Sequence, residues 1–250
     1  MSFKIVIPAR YSSSRLPGKP LVDIAGKPMI QHVFERAQES LAAEVIIATD
    51  DARIEQVARD FGADVCMTRS DHPSGTDRLA EVAEIRNFDN NDIVVNVQGD
   101  EPCLPASLIN QVAEDLNQHQ DADISSLYSQ ITQEKQIFDP NVVKAVMDND
   151  GYAMYFSRAP IPWMREHFNR DSILPPELPH YRHIGLYGYR ASFLKHYSEL
   201  KPCVLEQEES LEQLRAMFYG KKIHLSAAQV STGHGVDTEE DLIEVRKLLS

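Results

Sequence analysis

Apolar positions in the first half of the chain come in short continuous runs that alternate with stretches of helical period. Phe3 to Pro8 reads as a buried strand, and Glu44 to Thr49 (EVIIAT), Ala63 to Met67 and Asp92 to Gln98 (DIVVNVQ) repeat the pattern. Between them the spacing changes. Ile30, Val33, Phe34 and Ala37 fall at i, i+3, i+4 and i+7 behind Pro28. Ile54, Val57, Ala58 and Phe61 line one face of a helix with Asp50 and Asp51 as capping candidates and Gly62 as its left-handed close. Further helices are expected from about Asp77, where Asp77 itself reads as the cap, and over Pro105 to Gln118. Repeated strand–helix units predict a parallel sheet covered on both faces, with the loops after its strands gathered along one edge.

The second half is less regular. Val142 to Met147 and Tyr152 to Ser157 flank Asn149-Asp150-Gly151, a hairpin signal. Arg158 to Pro179 is a proline-rich excursion carrying Trp163. His183 to Arg190 (HIGLYGYR) reads as a strand, Glu206 to Tyr219 as one helix, Ile223 to Val230 as a strand, and a last helix starts near Thr238. No repeat or linker interrupts this order. Residues 1–250 are therefore expected to form a single α/β domain with a smaller inserted lobe.

Composition narrows the class. The chain of 250 residues is 42% apolar, enough for a full core, and holds no run of some 18 apolar residues. The short apolar start lacks the basic and long apolar regions of a secretory signal. Cys66, Cys103 and Cys203 are odd in number and form no C-x-x-C pair, so neither a disulfide framework nor a zinc site is expected, and a reducing cytoplasm suits them. The net charge of −13 argues against a nucleic-acid partner. Yet the first 27 residues carry Lys4, Arg10, Arg15, Lys19 and Lys27 against Asp23 alone, a local balance of +4. One concentrated basic loop in an acidic chain points to a compact anionic ligand.

That loop, Pro8 to Lys19, reads PARYSSSRLPGK. Arg10, Arg15 and Lys19 offer charge to a phosphate chain, and Ser12 to Ser14 with nearby amides offer donors. A Walker A loop is excluded, because Ser13 stands where its first glycine belongs and Pro20 follows Lys19. A dinucleotide fingerprint is excluded too, since Gly233-His234-Gly235 runs into Thr238. On residue types alone a plain solvated loop remains open.

The segment IPARYSSSRLPGKPLVDIAGKPMIQHV resembles the N-terminal signature of the bacterial sugar-activating cytidylyltransferases, and most closely that of the 3-deoxy-manno-octulosonate (Kdo) cytidylyltransferases. The resemblance continues, in order, through ATDD, CMTRSDHPSGTDRLAEV, VNVQGDEP, YFSRAPIPW, HIGLYGYR, LEQLR and GVDTEEDL. It implies a Rossmann-like mixed, mostly parallel sheet flanked by helices, of the nucleotide-diphospho-sugar transferase kind. It also implies transfer of CMP from CTP to the anomeric hydroxyl of Kdo, for lipopolysaccharide synthesis. Mg²⁺ is the implied cofactor, on Asp100 and Asp237. Arg10, Arg15 and Lys19 are the implied catalytic cations. Pro8, Ala9, Arg10, Ser14, Lys19, Gly75, Arg78 and Gln98 are the implied nucleotide contacts, with Arg78 donating to the cytosine carbonyl. Arg158, His183, Tyr187, Glu212 and Gln213 are the implied sugar pocket. Residues 1–125 then form a nucleotide-binding core, and 150–205 a lobe for the sugar and a homodimer contact, with neither nucleic acid nor membrane as partner.

Each assignment has a plain counterpart. Asp237 is equally placed to cap the last helix, Glu212 to sit on a solvated helix face, and His183 with Tyr187 to be a core pair on one strand face. Two other functions stay open: a relative acting on another acidic sugar such as sialic acid or amino-substituted Kdo, and a non-catalytic binding module. The second would expect damage at Lys19, Asp100 or Asp237, and all three are intact.

Overall fold

The computed structural model describes residues 2–12, 16–168 and 179–250. Ser14 and Arg15 of the basic loop lie outside the described residues, as does nearly all of the stretch from Asp171 to Pro179.

Strand β1 (Lys4–Ala9) is followed by a 3-10 turn at Lys19–Leu21 and a small ribbon of β2 (Asp23–Ile24) and β3 (Lys27–Pro28). Helix α1 (Met29–Gln38) leads to β4 (Glu44–Thr49), α2 (Ala52–Asp60), β5 (Asp64–Met67) and α3 (Gly75–Ile85). Next come β6 (Ile93–Asn96), α4 (Ala106–Gln118), β7 (Ile124–Gln130) and the short α5 (Glu134–Phe138). The hairpin of β8 (Lys144–Met147) and β9 (Ala153–Ser157) precedes β10 (Tyr181–Arg190) and α6 (Ala191–Tyr197). Two short helices, α7 (Val204–Glu209) and α8 (Gln213–Phe218), then β11 (Ile223–Ala227) and α9 (Glu239–Leu249), complete the order.

The main sheet runs β11-β7-β10-β6-β1-β4-β5. Strand β1 is parallel to β4 and β6, and β11 to β7, while β10 is antiparallel to both neighbours. The sheet is thus mixed. Segment 150–205 supplies a main-sheet strand, β10, as well as β9 at the edge. Alternation along β1 builds the two cores. Ile5 and Ile7 face Ile30 and Val33 of α1 and Leu108 and Val112 of α4, whereas Val6 faces Leu79 and Val82 of α3 and Phe193 of α6. Asp51 caps α2 by accepting from the Arg53 amide, and Gly62 follows at φ +86°, both as expected. Among the described residues no helix is long and apolar enough to cross a membrane.

The structure corrects the sequence reading at four places. Strand β7 escaped it because Ser125 and Ser126 interrupt the apolar pattern; both are fully buried, with hydroxyls donating to the carbonyls of Val112 and of Ile184 and Leu186. Glu206 to Tyr219 is two helices, because Ser210 adopts φ 51° and ψ 51°, which ends the ladder. Glu212 consequently stands at the start of α8, where it remains exposed. Ser74, not Asp77, caps α3, accepting from the Asp77 amide at 3.1 Å. Thr238, in a capping box with Asp241, caps α9, so Asp237 precedes the cap.

Candidate active site

Strands β1 and β6 are neighbours, and their following loops meet at one edge of the sheet. Gly99 permits the meeting: a Cβ there would lie 2.9 Å from the Pro8 carbonyl oxygen. Asp100 is thereby brought beside the β1 loop. Lys19 Nζ donates to Asp100 at 2.6 Å and to Asp237 at 3.2 Å, tying three segments distant in sequence. Arg10 straps the other wall, donating to the carbonyls of His72 at 2.6 Å and Ser74 at 3.0 Å. These residues surround an open chamber of about 430 Å³, whose walls also include Pro8, Ala9, Gly75 and Gln98.

Two carboxylates, Asp100 and Asp237, line it around Lys19, and Glu101 lies outside its walls. Burial, then the neighbouring Asp100 and Asp237, push the Glu101 carboxyl up to about 7. Oxygen donors in negative excess suit a hard divalent cation such as Mg²⁺, which takes one or two carboxylates alongside phosphate oxygens. The donor set of Asp100 and Asp237 therefore fits that ion.

A second chamber, of about 340 Å³, adjoins the first and shares Pro8, Gly75, Gln98 and Glu212 with it. His183 and Tyr187 enter from the same face of β10, with ring centroids 5.4 Å apart. Burial lowers His183 to about 3, so its ring is neutral at ordinary pH. The Ser126 hydroxyl has one hydrogen, faces two carbonyls and lies 3.0 Å from His183 Nε2, so Nε2 carries the proton and donates to it. Glu212 accepts from the Thr76 hydroxyl at 3.0 Å. Water reaches its carboxylate, but the enclosing walls still raise its pKa against that bond.

Not every implied residue reaches a chamber. Arg78 is fully buried and faces Asp50 at 3.0 Å and the Thr68 hydroxyl at 2.6 Å; it lines neither cavity. Arg158 donates to the carbonyls of Glu209 (2.6 Å), Pro140 (2.8 Å) and Ser210 (3.4 Å), which props the corner before Glu212, and it does not line the second chamber. Conversely, Asn96, Tyr189 and Tyr197 line the second chamber without having been singled out. Asn96 had a legible signal, a lone amide ending an otherwise apolar strand.

Apart from the cleft, Asp115, His119 and His224 form a cluster whose potential ligand atoms lie within 4.8 Å of one another. The two imidazoles stack at 3.5 Å with planes 17° apart, so their in-plane lone pairs do not converge on one ion. His224 instead has acceptors at both nitrogens, the Asp115 carboxylate at 2.8 Å and the Asp150 carbonyl at 3.1 Å. Burial opposes its charged form, but these partners outweigh it and raise its pKa. A raised pKa means stabilisation present below the unfolded value and lost as pH rises through the folded one. His224→Gln should cost about 1 kcal/mol at pH 6 and clearly less at pH 9. Thermal melts at the two pH values check this, and a difference independent of pH would contradict it.

The cleft can be set beside known proteins. Residues 4–223 match the family model described as Cytidylyltransferase. The chain is 56% identical over 250 residues to the 3-deoxy-manno-octulosonate cytidylyltransferase of Hahella chejuensis, covering 100% of this chain and 98% of that one. It is 57% identical over 249 residues to the same-named protein of Idiomarina loihiensis, covering 99% and 98%. The structure of CMP:2-keto-3-deoxy-manno-octonic acid synthetase complexed with CTP superposes with a TM-score of 0.88 at 43% identity, over 99% of this chain and 97% of that one. A 4-diphosphocytidyl-2C-methyl-D-erythritol synthase, at 13% identity and a TM-score of 0.64, shares the fold. By family match, full-length identity and superposition, the chain belongs to the 3-deoxy-manno-octulosonate cytidylyltransferase family.

Proposed function

We propose that this protein transfers CMP from CTP to the anomeric hydroxyl of Kdo, releasing pyrophosphate and supplying CMP-Kdo for lipopolysaccharide synthesis in the cytoplasm. The observation that carries the reading is the pair of adjoining chambers. One is lined by cations and carboxylates, the other by hydroxyls, amides and rings, and they share Pro8, Gly75, Gln98 and Glu212. In-line transfer needs that adjacency, because the acceptor oxygen must approach the α-phosphorus opposite the departing oxygen.

CTP lies in the first chamber, with its base against Pro8, Ala9, Gly75 and Gln98. Lys19 and Arg10 exchange carboxylate and carbonyl partners for phosphate oxygens and take up charge as the bond to pyrophosphate breaks. The acceptor lies against His183, Tyr187, Glu212 and Gln213. Neutral His183 orients it without contributing charge. Asp100 and Asp237 would hold Mg²⁺, which would supply Lewis-acid stabilisation of the phosphates. Segment 150–205, with Met154 and Trp163 exposed, is the surface we assign to a homodimer contact.

A pyrophosphate-release assay run over a matrix of nucleotides and acceptors tests the function. CTP with Kdo should dominate. A preference for UTP, for sialic acid or for amino-substituted Kdo would replace this substrate assignment with another.

A further inference from the structure

Three residues that line the second chamber each carry a buried polar atom without a hydrogen-bond partner: Asn96 Oδ1, the Tyr197 hydroxyl and Gln213 Nε2. Their residues are 7%, 2% and 7% exposed. An unpaired buried polar atom destabilises the fold, and folded proteins seldom leave one without water or ligand to meet it. Here three such residues line one cavity from separate elements, β6, α6 and α8. The orphan atoms of Arg78 and Asp50 differ, since they belong to one ion pair at 3.0 Å.

We propose that Asn96 and Tyr197 are specificity-determining residues that, with Gln213, bind the hydroxyl groups of the polyhydroxylated acceptor. The inference rests on the function proposed above and adds residues to its acceptor site. The set is matched to a polyol. Burial, then the charge of Glu212, keeps the Tyr197 phenol protonated, so it donates; the Gln213 amide donates; the Asn96 carbonyl oxygen accepts. A hydroxyl group does both. Beside them Tyr187, Tyr189, Phe193 and Tyr197 follow one another at centroid spacings of 5.7, 5.9 and 5.6 Å; the last three are buried, and the half-buried Tyr187 offers the more open ring.

Tyr197→Phe separates a binding role from a structural one, because it removes only the hydroxyl. A structural orphan would leave kinetics unchanged on deletion. A binding hydroxyl gives a KM for Kdo raised about tenfold, a KM for CTP within about twofold of wild type, and a melting temperature that does not fall. Mono-deoxygenated Kdo analogues complete the test: with the one lacking the contacted hydroxyl, wild type and variant should become equivalent. An unchanged KM for Kdo, or the same penalty with every analogue, overturns the proposal. If wild type fails to turn over CTP and Kdo, the proposed function falls. Calorimetric dissociation constants for Kdo with the two proteins then still decide the roles of these residues, equal affinities refuting them.

Discussion

Asp100→Asn is expected to lower pyrophosphate release about a thousandfold while the protein remains folded. The substitution keeps the side chain's shape, and the Val236 amide still donates to the residue-100 carbonyl, a contact of 2.9 Å. The side chain is partly exposed, so little packing is lost. What disappears is one of the two carboxylates facing Lys19, and with it the charge proposed to hold Mg²⁺. Lewis-acid stabilisation is worth several kcal/mol at the transition state, and each ~1.4 kcal/mol is a factor of ten, which gives the expected size. Half-saturation by Mg²⁺ should move to higher concentration in the same variant. Near-normal turnover with an unchanged melting curve would remove Asp100 from the metal site. A loss accompanied by unfolding would be visible in that melting curve and would leave Asp100 a structural residue.

Much of this geometry was legible before any coordinates. Continuous apolar runs mark β1, β4, β5 and β6, and their order alone implies that the loops holding Lys19 and Asp100 share an edge. Less legible was what depends on a few backbone angles or on rotamers. Nothing in the residue type of Ser210 announces a left-handed conformation, yet that one position turns Glu212 to the cleft. Ser125 and Ser126 disguise β7 because polar side chains were matched to carbonyls supplied from α4 and β10. Arg78 and Arg158 sit in the right motifs, but an arginine's sequence position does not say which acceptors its long side chain finds. Both found acceptors inside the protein. Asp237 is the converse, for Thr238 takes the cap and Asp237 faces Lys19.

Arg215→Met should produce the largest loss of stability, about 3–5 kcal/mol, or roughly 10 °C in melting temperature. Arg215 on α8 meets Glu206 on α7 through two bonds, Nε to Oε2 at 2.7 Å and Nη2 to Oε1 at 2.5 Å. Its side chain also reaches Asp77 on α3 at 3.9 Å and lies 4.7 Å from the Tyr197 ring on α6. The hydrogen bonds to Glu206 raise its pKa further against the effect of burial, so it is charged at any working pH. Removing it strands a carboxylate in the interior, and that desolvation cost rather than the lost attraction sets the magnitude. Replacing both partners removes the stranded charge, so Glu206→Met with Arg215→Met should recover most of the stability of the single variant. The pair frames the corner Ser210 to Gln213, so the single variant should also raise the KM for Kdo, with the KM for CTP changing less. A melting temperature within about 1 °C of wild type, or a double variant no more stable than the single, would show that Glu206 is satisfied by other means and that the corner is held from the Arg158 side.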